Sequence, residues 1–99
     1  MTRLADLARV VRSKNAGPTL LTIDVLFAEA AHLDRALPVL SSSRISSLYG
    51  IEADKIRVIP YRPAMAIKIV MPRKLIAGDP GDLDVYGAQQ HAPLLGIEV

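Results

Sequence analysis

Residues 19–27 restrict the fold more than any other stretch of this chain. Thr19, Leu21, Ile23, Val25 and Phe27 alternate with Leu20, Thr22, Asp24 and Leu26. A period of two sends successive side chains to opposite faces of a pleated strand, and β-branched residues suit that surface. The segment therefore reads as a strand, central in a sheet, with Asp24 on its polar side as a partner for a neighbouring Arg or Lys. Residues 65–71 repeat the pattern: Met65, Ile67, Ile69 and Met71 point one way, towards the helices, and Ala66, Lys68 and Val70 point the other. Residues 55–61 form a further strand, and the short Arg62-Pro63-Ala64 connection predicts an antiparallel hairpin. Pro60 and Pro63 cannot donate to a ladder, which places the hairpin at a sheet edge near its turn.

Between these strands the composition turns helical. Residues 28–37 are rich in Ala and Leu and stop before Pro38, which lacks an amide hydrogen and disfavours a helical residue before it. A second helix follows, capped by Ser41, Ser42 or Ser43, with Ile45, Leu48 and Tyr49 as its apolar face and Gly50 as the left-handed residue that ends it. Residues 4–12 admit two readings. Leu4, Leu7, Ala8 and Val11 fit a helical stripe, whereas Ala5, Leu7 and Val11 against Val10 suit a short buried strand; periodicity leans to the helix. Residues 72–84 are rich in Pro, Gly and Asp and read as a long loop, residues 85–90 as a helical turn, and residues 94–99 as a short final strand. Both helices lie between sheet segments, which predicts a two-layer α/β (α+β) sandwich of the ferredoxin-like kind, with a largely antiparallel sheet and two helices on one face.

A chain of 99 residues is expected to be one domain, residues 1–99, because a single core of that size buries roughly 60–70% of the unfolded surface. Just over half the residues are apolar but only four are aromatic, so Leu, Ile, Val, Ala and Met must build the core. The absence of cysteine removes disulfides, thiol nucleophiles and thiolate metal sites, and suggests a reducing compartment. No stretch reaches the ~20 apolar residues of a membrane span, and the start lacks a secretory pattern. A soluble, cytoplasmic protein is the expectation. Net charge is +2 with Lys and Arg scattered, whereas a nucleic-acid surface calls for a dense basic stripe with stacking aromatics.

Two polar runs carry the available chemistry. In Arg12-Ser13-Lys14-Asn15-Ala16-Gly17-Pro18, two cations flank a hydroxyl and an amide, and Gly17 allows the backbone to turn its amides inward as an anion-binding nest. A carboxylate or phosphate suits it: Arg12 as a bidentate fork, Lys14 as a point charge, Ser13 and Asn15 as neutral donors. The alternative is a solvated turn, since the extra glycines of a phosphate loop are missing. In the second run, residues 81–91, Asp82 and Asp84 can accept from the cations of the first. Tyr86 and His91 can transfer protons, and Gln89 and Gln90 can fix an oxyanion or an amide. His91 titrates near neutrality and is the best acid–base candidate. The alternative for this run is a helix cap by Asp82 or Asp84 with Tyr86 filling a core corner. No spacing matches a metal motif and no cofactor is implied. The serine triplet lacks a glycine elbow, and His32 reads as a surface residue of a helix.

The first run followed by a strand, together with Asp84-Val85-Tyr86-Gly87-Ala88-Gln89-Gln90-His91-Ala92-Pro93-Leu94-Leu95, resembles a family of small bacterial domains of unknown function. These accompany AtuA-like proteins, named for acyclic terpene utilisation. The similarity runs from Leu4 to Val99. A more distant likeness is to the ferredoxin-fold domain at the C-terminus of AtuA-like proteins, where an Arg-Ser-Gly-Asp-Lys-Gly run lies between the first two strands. Lys14-Asn15 stand here in place of Gly-Asp, and Ala16-Gly17 in place of Lys-Gly. The resemblance implies a ferredoxin-like fold, a strand rather than a helix at residues 4–12, and a larger AtuA-like partner in catabolism of small organic acids or their thioesters.

The expectation that follows is a small subunit, not active alone, of a heteromeric enzyme with a hydratase, lyase or isomerase step. Arg12, Ser13, Lys14, Asn15, Gly17, Asp84, Gln89 and Gln90 would bind ligand, and His91, Tyr86 and Asp82 would serve catalysis. The alternative is a non-catalytic interaction or oligomerisation module that binds a small anion, anchored by Tyr49, Tyr61 or Tyr86.

Overall fold

A computed structural model describes residues 2–73 and 92–99. Its centre is a four-stranded antiparallel sheet with strand order β1-β2-β4-β3. The strands are β1 (Val10–Asn15), β2 (Leu20–Leu26), β3 (Arg57–Tyr61) and β4 (Ala66–Pro72). β1 and β2 form one hairpin, β3 and β4 another, and the two hairpins join through β2 and β4. Both helices fall between β2 and β3, as the composition predicts: α2 at Ala30–Ala36 and α3 at Ser42–Tyr49, after a four-residue α1 at Leu4–Leu7.

The alternation in β2 and β4 decides which face the helices cover. Leu21, Ile23 and Val25 from β2 and Ile67, Ile69 and Met71 from β4 are buried, together with Leu33, Ala36, Leu40 and Ile45 from the helical layer. These side chains form one hydrophobic cluster, and the architecture is a two-layer α+β sandwich. Local signals end the helices where the sequence places them. Ser41 caps α3 by accepting from the Arg44 amide at 3.2 Å, and Gly50 closes it at φ 67°. α2 stops at Ala36, ahead of Pro38. On the amphipathic face of α3, Ile45 is buried and Tyr49 half-buried, but Leu48 is exposed.

Three expectations are corrected. Residues 4–12 are not one strand: Leu4–Leu7 is helical and the strand begins at Val10. The short helix buries Leu4 and is tied to the C-terminal segment, with the Leu4 amide donating to Ile97 O at 2.7 Å. Residues 94–99 form no regular strand. Ala92–Leu94 is a 3-10 turn, Leu94 and Ile97 are buried, and a single bridge pairs Glu98 with Arg3. Spacing of three between the buried residues serves a turn packed end-on, not a pleated edge. Met65, expected to face the helices, adopts φ 49° after the 3-10 turn Arg62–Ala64 and is exposed. That left-handed residue ends the turn, so the alternation starts at Ala66. Of the loop expected at residues 72–84, Pro72 instead ends β4; residues 74–84, and the helical turn expected at residues 85–90, lie outside the described residues. Among the described residues no helix is long and apolar enough to cross a membrane.

Ile69 is fully buried in the strand that joins the two hairpins. Ile69→Ala removes its contacts to both layers and is expected to cost about 2–5 kcal/mol of stability, read as a lower urea midpoint with an unchanged m-value. Burial pushes the Tyr49 hydroxyl well above its ordinary pKa. The folded state then keeps a proton that the unfolded chain releases, so this contribution is whole below about pH 10 and is lost as pH rises further. Tyr49→Phe is expected to flatten the alkaline fall in stability, measured by urea unfolding from about pH 8.5 to 11.

Candidate functional site

The sheet face turned away from the helices carries the unassigned chemistry. Register brings its side chains into rows that run across all four strands. Val10, Leu26, Ala66 and Tyr61 make an apolar row. Arg12, Asp24, Lys68 and Ile59 make a charged row beside it, and Lys14, Thr22, Val70 and Arg57 make a third. Each row follows from the same parity that buries the opposite face, because neighbouring residues on a strand alternate sides. Four cations and one carboxylate stand on this surface, so its charge is +3 where the whole chain carries +2.

A groove of about 400 Å³ crosses the first two rows, lined by Arg12, Asp24, Leu26, Ile59, Tyr61, Ala64, Ala66 and Lys68. Arg12 Nε lies 3.8 Å from Asp24 Oδ2, with the carboxylate mostly shielded and the guanidinium exposed. This is the Arg partner expected for Asp24. Lys68 stands opposite Asp24 in register, yet among the described residues it forms no ion pair. Lys14 and Arg57 form none there either.

The first polar run is thus divided by the pleat. Arg12 and Lys14 project from the open face, whereas Ser13 and Asn15 turn to the covered side. Ser13 is buried. Asn15 Oδ1 accepts from Arg73 Nη1 at 3.0 Å, tying β1 to the end of β4. Only residues 16–19 form the turn. Gly17 has φ 90°, and a Cβ there would meet no atom within 4 Å, so its glycine is required by conformation and not by space. The Ala16 amide donates to Leu20 O at 3.0 Å, and Pro18 has no amide hydrogen. The turn therefore offers a ligand at most the amides of Gly17 and Thr19. Ser13 and Asn15 do not converge with Arg12 and Lys14 on one surface.

The remaining site candidates, Asp82, Asp84, Tyr86, Gln89, Gln90 and His91, lie outside the described residues. His32 sits on α2, on the helical layer, with Nε2 3.3 Å from Glu29 Oε2 and a buried Nδ1. Among the described residues no cluster of three His, Asp or Glu is placed to hold a metal ion. A second, wider depression beside α3 is lined by Ser41, Ser43, Arg44, Ser47 and Glu98 with Pro38 and Val39. Its Ser41 and Ser47 hydroxyls already serve the helix backbone.

Lys68, Leu26, Ile59 and Ala66 line the groove although no sequence motif singles them out, and Tyr61 lines it as one of the expected interface anchors. The signal for Lys68 was in the pattern: it is the one charged position of its alternating strand, on the side away from the helices. Its neighbours there depend on strand order, which periodicity does not specify.

The arrangement can bind an anionic group at the charged row and shelter an apolar body along the row next to it. Neither a curated protein nor a solved structure matches the chain. A family model described as a domain of unknown function, DUF4387, matches residues 4–98, and the chain belongs to that family.

Proposed function

We propose that this domain is an accessory subunit that binds a small organic acid, or the carboxylate or phosphate of its thioester, beside a larger AtuA-like protein that completes the chemistry. The observation that supports this reading is the pairing of Arg12 and Lys14 on one exposed side of β1. Two cations at alternate positions of a strand stand roughly 7 Å apart, close enough to share one anionic ligand. Asp24, the carboxylate among them, is engaged by Arg12 and serves as its orienting partner. The described part of the surface thus supplies recognition, and the proton-transfer groups of a hydratase, lyase or isomerase step are assigned to His91, Tyr86 and Asp82 or to the partner.

The second reading is a non-catalytic interaction or oligomerisation module with a small anionic ligand. Tyr61, 59% exposed, and the exposed Val10 and Ile59 favour it, because aromatic and aliphatic side chains on an open surface anchor interfaces.

Co-purification of the tagged chain from its host, followed by assay of the recovered complex, separates the two. In the complex, Arg12→Ala is expected to lower kcat/KM about tenfold or more, the loss of one charge-assisted contact, with assembly intact. His91→Ala is expected to abolish turnover and leave assembly intact. Loss of assembly in either variant establishes the interaction module instead, and recovery of the chain without a larger protein overturns the subunit reading.

A further inference from the structure

We infer that the groove across β2 and β4 is a binding site for a small monocarboxylate with an apolar body, and that Lys68 is the residue that fixes the carboxylate. This deepens the anion-binding half of the reading above and does not depend on the larger partner.

Charge and register carry the assignment. Lys68 faces Asp24 directly across the β2–β4 ladder, a position where a cation would ordinarily close a cross-strand pair. Asp24 is instead paired with Arg12, on the other side. The Lys68 ammonium therefore keeps its charge unmatched among the described residues while standing at the wall of the groove. Two cations and one carboxylate line that groove, a net charge of +1, and a single carboxylate neutralises it. Lys14 and Arg57, in the next row, add positive potential without lining the groove.

The rest of the lining describes the ligand's other end. Ile59 flanks Lys68 within the charged row, and Leu26, Ala66 and Tyr61 lie to one side of it, about 7 Å along the strands. A ligand with its carboxylate at Lys68 thus directs its body over Leu26 and Ala66 and against Tyr61. The volume of about 400 Å³ falls near the lower end of small-molecule sites, which run from roughly 300 to 1,000 Å³. Phosphate alone would satisfy the cations and leave the apolar row bare. An apolar-bodied acid covers both.

The test is a titration of the full chain, followed by amide NMR, with octanoate, acetate and octylamine as probes. Octanoate is expected to cause saturable shifts at Asp24, Ile59, Tyr61, Ala66 and Lys68, at concentrations where acetate and octylamine cause none. Lys68→Met keeps the aliphatic stem and removes the charge. It is expected to weaken octanoate about tenfold, whereas Lys55→Met, which removes a surface cation outside the groove lining, weakens it less than about twofold; the variant spectra report that the fold is retained. Equal binding of acetate and octanoate overturns the inference and leaves the anion-binding reading standing. Equal binding of octanoate and octylamine, or octanoate shifts away from the groove, overturns it as well. Absence of binding by either acid sinks this site and the small-acid recognition proposed above together.

Discussion

The seven-residue pairing of β2 with β4 is the constraint on which the rest of the structure depends. It joins two hairpins that are separate in the chain and fixes the parity of both at once. With Ile23 opposite Ile69, the buried apolar residues of β2 and β4 all pack in one cluster with the helical layer. A slip of one residue would turn one strand's apolar set out to solvent. Burial of those side chains is worth roughly 1.5–3 kcal/mol each, so the register is strongly specified by the core alone.

The open face inherits its organisation from that same pairing. Once Ile23 and Ile69 are committed inward, Asp24 and Lys68 must meet on the other side, and β1 brings Arg12 against Asp24. Among the described residues no helix covers this sheet face, and it concentrates positive charge beside an apolar row. Asp24 orients Arg12 and at the same time leaves Lys68 unmatched among the described residues. The acid recognition we propose thus rests on strands, which hold side-chain positions more firmly than loops do.

Much of this fold is legible in the sequence because its signals are local. Alternation in residues 19–27 and 65–71 identifies the two central strands, Pro38 and Gly50 mark where the helices stop, and Ser41 marks where α3 starts. Residues 4–12 mislead because they contain two periods in succession: Leu4 and Leu7 belong to a short helix, Val10 and Val11 to a strand. A window wide enough to detect either period averages both. The last residues mislead for a different reason. Leu94 and Ile97 are apolar, but they seal the core beside Leu4 through one bridge, a tertiary contact with no periodic signature. The site was legible in part. Arg12 and Lys14 stand out by type, and Asp24 by its place on the polar side of a strand. Read as one polar cluster, however, the run from Arg12 to Gly17 hid its own division, since Ser13 and Asn15 alternate away from the cations. Lys68 gains its meaning only from the strand placed beside it.

The β2–β4 register is tested most directly by cross-strand disulfides, which the natural absence of cysteine makes clean. Thr22→Cys with Val70→Cys places two thiols opposite one another on the open face, within the separation a disulfide spans. The account predicts rapid oxidation of this pair and none for Thr22→Cys with Met71→Cys, whose side chains leave the sheet on opposite sides. Preferential closure of the second pair would shift the register by one residue, separate Asp24 from Lys68 and contradict the account.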